Sequence, residues 1–359
     1  MRKGGHDAAP EPVEIAGGKT GSLKGGIREG KAMRIGFFIA AVVLNVFVQL
    51  SPASVSPARA AEKLTIGMIG SPDSGGWLYY IAIHEGYFAK EGIEPDFIYV
   101  PTAPGVMQQL VSGSLDVVGV DGVVEPIHAR AKGADVAILR MTSNTTPYEM
   151  IAKPSINSIK DLKGKTITIG GLMDINRIYL ERIMQANGIK WGEYDVVVIG
   201  NSAQRFAALQ SGSVDATMLV PPTAFTAEKA GFKNLAMIKE YAGDLPMASA
   251  DVMVPWAKAH EDITKRLVAT LDQAAAFFYD DAKRDTSIQI LVDVSKADPA
   301  QVTQSYDLAR QIDMYAKESS VSRTDLQHLI DAMKSVGDLE GVTINADQLV
   351  ISGLTKMVD

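Results

Sequence analysis

Apolar and polar positions fall in blocks along this chain, and one arrangement of blocks occurs twice. Residues 97–121 read FIYVPTAPGVMQQLVSGSLDVVGVD, and residues 196–220 read VVVIGNSAQRFAALQSGSVDATMLV. At an offset of 99, Leu110 matches Leu209, the Ser-Gly-Ser of 112–114 matches that of 211–213, and Asp116 matches Asp215. Each copy opens on an apolar, β-branched run, 97–100 or 196–199, that suits a strand buried on both faces. Turn residues follow, then a helix of about three turns, a Gly suited to end it in a left-handed conformation, and a second apolar run. This is the crossover unit of a parallel sheet. A single repeat at so long a period predicts two similar lobes rather than a solenoid, whose units run to roughly 20–50 residues. Two α/β lobes imply a cleft between them.

The pattern extends on both sides of the repeat. Residues 63–69 (KLTIGMI) read as the opening strand, 136–141, 166–169 and 234–239 as further strands. The stretches 142–155 and 240–255 break pattern and read as the two crossings between lobes. From Trp256 the periodicity is helical, over 257–283, 286–296, 299–316, 322–335 and 346–357, with Asp298-Pro299 and the Ser-Arg-Thr-Asp of 322–325 as helix starts. The predicted division is 1–60 as a leader, 61–145 as the first part of lobe one, 146–250 as lobe two, and 251–359 as the return to lobe one with C-terminal helices packed on it.

The opening sixty residues change the picture of where the chain works. Residues 35–50 are an apolar run broken only by Asn45 and Gln49, after Lys31 and Arg34 and before SPASVSPARA. A positive flank, a short apolar stretch and the small residues Ala58 and Ala60 predict a secretory signal cleaved after Ala60. The run is shorter than the roughly 20 residues a bilayer helix needs. Met33 is a candidate for the true start. Export to an oxidising compartment permits disulfides, yet the chain has no Cys, so the fold rests on its core and no lipid-anchor site is present. Removing 1–60 takes away eight of 35 basic and four of 42 acidic residues, leaving 27 against 38, a net charge of −11. A nucleic acid or an anionic membrane is not the expected partner of such a chain.

In open parallel sheets, ligands sit beyond the carboxyl ends of the strands, so the turns there hold the candidate residues. After the first strand these are Ser71, Asp73, Ser74 and Trp77; Asp73 and Ser74 also suit plain helix capping and Trp77 plain packing. Thr102 precedes a helix start with Pro104 in its first turn, where free N–H groups attract an anion or a carbonyl, and Thr102 is equally an N-cap. Asp121 ends the next strand, where a charged group needs a partner or water. Asn144 falls on the first crossing, near the cleft mouth.

In lobe two, Gly170 and Gly171 permit close backbone approach ahead of Asp174, Asn176 and Arg177. Asp174 has the alternative of an N-cap. Arg177 is placed to clamp a carboxylate or sulfonate, or to pair with Asp174 on a solvated face. Asn201 corresponds to Thr102 across the cleft. Arg205 corresponds to Val106, a difference between the copies that suits ligand preference or plain surface charge. The Gly-Lys-Thr of 164–166 is not a phosphate loop, since position 159, where that motif needs Gly, is Ile. His84, His128, His260 and His328 lack the spacing of a metal site. No catalytic pair, metal or cofactor is expected.

The stretches GWLYYIAIHEGYFAKEGIEPDFIYV (76–100), LVSGSLDVVGVDG (110–122), SIKDLKGKTITIG (158–170) and AALQSGSVDA (207–216) together resemble the periplasmic substrate-binding proteins of ABC importers for nitrate, sulfonates and thiamine precursors. The resemblance runs from about residue 64 to 254. It implies the type II periplasmic-binding-protein fold, an α/β architecture of two lobes with a hinge. It also implies a periplasmic, monomeric, non-enzymatic protein that captures a small molecule by hinge closure and hands it to a membrane permease. A ligand-sensing subunit for a membrane receptor, and an enzyme on the same fold, are the alternatives. Ligand charge stays open: Arg177 and Arg205 with the helix starts suit an anion, whereas Asp73, Asp121 and Asp174 with Trp77 suit a heterocyclic amine.

Overall fold

The computed structural model describes residues 61–359, so the leader and signal-peptide reading lies outside the described residues. Lobe one begins with β1 (Glu62–Ile69), α1 (Trp77–His84), α2 (Tyr87–Lys90), β2 (Ile93–Val100), α3 (Ala103–Val111), β3 (Val117–Gly122), α4 (Val124–Ala131) and β4 (Val136–Ser143). Lobe two holds β5 (Glu149–Ala152), β6 (Thr166–Ile169), α5 (Ile175–Ala186), β7 (Asp195–Val198), α6 (Ser202–Gln210), β8 (Ala216–Leu219), α7 (Thr223–Lys229), β9 (Lys233–Met237) and α8 (Lys239–Ala242). The chain returns through β10 (Ala248–Met253) and continues as α9 (Val254–Ala259), α10 (Glu261–Tyr279), α11 (Arg284–Ser295), α12 (Pro299–Gln311), β11 (Ser320–Ser322), α13 (Arg323–Ser335) and β12 (Lys356–Val358).

The two sheets have one topology. Their strand orders are β2-β1-β3-β10-β4 and β7-β6-β8-β5-β9. In each, the first three strands are parallel and the fourth runs antiparallel to both neighbours. That fourth strand is the one that arrives from the other lobe. The repeated motif makes the same bond in both lobes. Asp116 Oδ2 accepts from Thr65 N at 2.8 Å, and Asp215 Oδ2 accepts from Thr166 N at 3.0 Å. Each carboxylate ties the loop after its helix to a backbone N–H of the lobe's first central strand. The Gly of each Ser-Gly-Ser, Gly113 at φ 77° and Gly212 at φ 79°, ends its helix in the left-handed region.

Three expectations need correction. The apolar runs at 97–100 and 196–199 do not form strands buried on both faces: β2 and β7 are sheet edges, with Tyr99 and Val198 exposed by 37% and 50%. A β-branched run signals a strand without specifying its place in the sheet. The stretch 240–255 is more than a connection, since it contains β10, a central strand that pairs with both β3 and β4. Residues 346–357 do not form a helix. A single 3₁₀ turn (Ala346–Leu349) is followed by Val350 bridging to Ile138, by Gly353 at φ 85°, and by β12 on β11. Thr355 Oγ1 donates to the Ile138 carbonyl at 2.9 Å, holding this end of the chain against β4.

Helices α10 to α12 pack on α1, where Trp77, Phe278, Tyr306 and Tyr315 form an aromatic core. Helix α13 and the residues after it reach both lobes: the Val336 carbonyl accepts from Arg177 Nη2 at 3.0 Å, and Asp338 pairs with His128 at 2.7 Å.

Candidate functional site

The carboxyl ends of β1 and β3 face those of β6 and β8, and the lobes touch there. Ser74 Oγ donates to the Pro221 carbonyl of the opposite lobe at 3.0 Å, while the Ser74 carbonyl accepts from the Tyr315 hydroxyl at 2.5 Å. Ser71 is exposed in the turn beside this contact. Asp73 caps the following turn, accepting from Gly75 N at 2.8 Å, and burial raises its carboxyl to about 6. Thr102 and Asn201 occupy matching positions and do the same work, capping α3 and α6: Gly105 N donates to Thr102 Oγ1 at 3.3 Å, and Gln204 N to Asn201 Oδ1 at 3.0 Å. Asn144 is exposed on the first crossing, with its N–H on the Met314 carbonyl.

The centre of the cleft is acidic. Asp121, at the end of β3, is fully buried; its Oδ1 accepts from Gly122 N at 2.8 Å and its Oδ2 has no hydrogen-bond partner among the described residues. Glu125, in the first turn of α4, is 4% exposed, and both its carboxyl oxygens are likewise without partner. The carboxyl lies over Gly122, where an added Cβ would stand 2.6 Å from Oε2. Asp251 on β10 completes the group, again with both oxygens unpartnered among the described residues. Burial raises all three: Asp251 to about 8, and Asp121 and Glu125 well above the carboxylate range. The Glu125 charge adds to the rise at Asp121, and the charge of Asp174, in the opposite lobe, adds to the rise at Glu125.

Lobe two meets this group with the turn after β6. Asp174 caps α5, accepting from Asn176 N at 2.8 Å. Its Oδ2 occupies the space that side chains would take at Gly170 and Gly171, where an added Cβ would stand 2.5 and 3.2 Å away. Burial raises this carboxyl to about 6, against the pull of Arg205 and of the Asn176 N–H. Asn176 is buried, and its Oδ1 has no partner among the described residues.

Three of the residues proposed from sequence do not serve the cleft as expected. Trp77 is fully buried within lobe one; its Nε1 donates to the Ser287 carbonyl at 2.8 Å and its ring packs edge-on against Phe278 and Tyr306. The first residue of α1 turns its side chain toward α11 rather than toward the turn. Arg177 pairs with Glu181 at 2.9 Å instead of Asp174, donates to Val336 and stacks on Trp191. Arg205 is neither a surface charge nor a free clamp. It is 2% exposed, and it donates to the carbonyls of Met218 at 3.1 Å, of Ile199 at 3.4 Å and of Gly200, and to Ser202 Oγ at 3.1 Å. Both guanidinium groups are engaged within the protein.

Sequence reasoning misses Glu125 and Asp251. A signal for Glu125 exists: Asp121-Gly122 marks the strand end, and the first helical turn after it is reached three residues later. Asp251 has none, because its strand reads as a connection. Taken together, the cleft presents hydrogen-bond acceptors and carboxyl groups, a set that suits a solute with N–H donors.

Two lobes of five-stranded α/β structure, facing each other across the carboxyl ends of their parallel strands and joined by two crossings, define the type II periplasmic-binding-protein fold. The chain matches the family described as NMT1/THI5 like over residues 76–283, and it belongs to that family. It is 26% identical over 193 residues to the formylaminopyrimidine-binding protein of Halalkalibacterium halodurans, a match covering 52% of this chain and 56% of that protein. The chain thus spans about half the length of this curated relative. Among solved structures it is similar to the alkanesulfonate-binding protein SsuA of Xanthomonas axonopodis pv. citri bound to MOPS, with a TM-score of 0.66 and 19% identity over 84% of this chain and 100% of that one. It is also similar to the periplasmic nitrate-binding protein NrtA of Synechocystis PCC 6803, with a TM-score of 0.61 and 13% identity over 83% of this chain and 92% of that one. At these identities the structural likeness carries the fold alone.

Proposed function

We propose that this chain is the solute-binding component of an ABC importer, a non-enzymatic periplasmic monomer that captures a small nitrogen-rich solute by hinge closure and delivers it to a permease. The observation that carries the reading is the pair of buried acids Asp121 and Glu125 at the carboxyl end of β3, with Oδ2 of the first and both carboxyl oxygens of the second left without a hydrogen-bond partner among the described residues. A buried polar group without a partner is costly, and a solute with N–H donors removes that cost on binding. Arg177 and Arg205, the two cations an anionic solute would need, are occupied by Glu181 and by backbone carbonyls. The similarity to a protein named for binding formylaminopyrimidine supports a heterocyclic amine over a sulfonate or nitrate. Export, cleavage after Ala60 and the division into lobes at about 146 and 250 belong to the same proposal.

Thermal melting against aminopyrimidines, polyamines, sulfonates, nitrate and carboxylates tests it. A solute at about 100 times its Kd adds roughly 2.7 kcal/mol, a shift of several degrees. A shift with the aminopyrimidines is the expected result. A shift with nitrate or sulfonates alone would overturn the solute class, and a flat panel together with no solute co-purifying would count against the binding role.

A further inference from the structure

Helix α7 belongs to lobe two by its apolar face and touches lobe one by its polar face. Ala224 and Ala227 pack with Ile151 of β5 and with Phe206 and Leu209 of α6. Opposite stands α12, which belongs to lobe one: Val302, Tyr306 and Ala309 lie in the core around Trp77, and the Tyr306 ring centre is 5.8 Å from that of Trp77. Between the two helices runs an open groove of about 650 Å³, lined by Phe225, Glu228 and Lys229 from α7 and by Gln301, Thr303 and Gln304 from α12. Polar contacts bridge the seam. Thr226 Oγ1 donates to Gln301 Oε1 at 2.9 Å, and Ser74 Oγ donates at 3.0 Å to the carbonyl of Pro221, in the turn that opens α7. Lys229 lies 3.7 Å from Asp298, the residue that caps α12; both side chains are exposed, so this pair adds little.

Both halves of the seam are held in place from behind. Ser74 is buried, and its carbonyl accepts from the Tyr315 hydroxyl; the Tyr315 backbone is fixed in turn by the Tyr279 hydroxyl, which accepts from its N–H at 3.1 Å and donates to its carbonyl at 2.9 Å. On lobe two, Thr226 also donates to the Pro222 carbonyl at 3.2 Å, tying the turn to its helix. The apolar clusters behind α7 and α12 are separate, so the seam is joined by a few hydrogen bonds around an unfilled groove. Such a joint parts at small cost, because water replaces each bond that breaks. We propose that this seam is a latch: the lobes close by making Ser74–Pro221 and Thr226–Gln301 and open by breaking them, so that residues outside the solute's own contacts set how long it stays bound. This rests on the solute-binding reading above. Ser74 lies in the cleft turn after β1 and Pro221 just beyond the cleft end of β8, so a solute that orders either turn also sets the catch.

The chain has no Cys, so a variant carrying both Thr226→Cys and Gln301→Cys holds one thiol pair, and a short bis-methanethiosulfonate reagent joins it only while α7 and α12 are together. Small-angle scattering and the release of formylaminopyrimidine read the result. The cross-linked, solute-free monomer is expected to have a smaller radius of gyration than the same sample after dithiothreitol, and to exchange bound formylaminopyrimidine at least tenfold more slowly. Thr226→Val and Ser74→Ala each remove one hydroxyl of the latch. Each is expected to move the closed-to-open ratio about fivefold toward open and to speed release by about the same factor, while the association rate stays within about twofold. A loss that merely loosened the fold would not confine its effect to release. Equal radii and equal exchange before and after reduction would show that α7 and α12 move as one body, and would overturn the latch; so would failure of the monomer to cross-link. Should formylaminopyrimidine not bind at all, the radius decides alone: contraction on cross-linking that reverses on reduction sustains the latch and faults only the choice of solute.

Discussion

Set side by side at the offset of 99, the two lobes agree where the chain must fold and differ where it must recognise. Asp116 and Asp215 make the same bond to a backbone N–H of equivalent strands, and Thr102 and Asn201 cap equivalent helices. At the cleft the correspondence fails. Asp121 matches Val220 at that offset, Glu125 matches Ala224, and Val106 matches Arg205. One lobe carries buried acids with carboxyl oxygens left without a hydrogen bond among the described residues, and the other carries a buried arginine that steadies its own strand ends. The acids of the proposed solute site are among the departures from the repeat.

The largest effect expected from breaking that comparison is at Arg205. Replacing it by Ala leaves the carbonyls of Met218, Ile199 and Gly200 without their buried donor, and a loss of about 3 kcal/mol in urea unfolding is expected. Val106→Ala, its counterpart, should cost clearly less. A loss below about 1 kcal/mol at Arg205 would mean that the guanidinium is not holding the strand ends.

Next is the pH dependence that lobe one acquires from its acids. Asp251 carries its carboxyl at about 8 when folded, against about 3.9 for an unfolded aspartate. Between those values the folded chain keeps a proton that the unfolded chain releases, so stability falls as pH rises through this window. Melting of the solute-free protein should come several degrees higher at pH 5 than at pH 8, and Asp251→Asn should flatten that slope while raising stability at pH 8. An equally steep slope in the variant would assign it to other groups.

The matched pair gives a finer test. Asp215→Ala should cost about 2 kcal/mol and Asp116→Ala about 1 kcal/mol, because Asp215 also holds Lys153 at 2.8 Å. Equal losses would show that the lysine contributes nothing. Smallest of all is Arg177→Ala. Its partners are Glu181 and Val336, so solute affinity should stay within about twofold and stability within about 1 kcal/mol; a tenfold loss of affinity would return Arg177 to the cleft.

Much of this architecture is legible because local signals carry it. The repeat announces two lobes, the β-branched runs announce strands, and Thr102, Asp174 and Asn201 announce helix starts, all through contacts within a few residues. What stays hidden depends on contacts between distant segments. Glu125 reads as an ordinary first-turn acid until the fold buries it. Trp77 sits beside a cleft turn, and only the docking of α11, more than two hundred residues later, turns it into core. The strand β10 is short and interrupted by Asp251, so its apolar pattern is too weak to stand out from a connection.

The shared brace has a consequence for how such a protein is diversified. Because Asp116 and Asp215 fasten equivalent loops, and Thr102 and Asn201 open equivalent helices, the segments 102–116 and 201–215 are interchangeable cassettes with matching ends. Recombination between the two halves of one gene, or between relatives, would carry a new residue 106 or 205 into place without disturbing its anchors. Exchange of whole segments thereby keeps the loop ties and the helix caps, while the buried residue at 106 or 205 must still match the lobe that receives it.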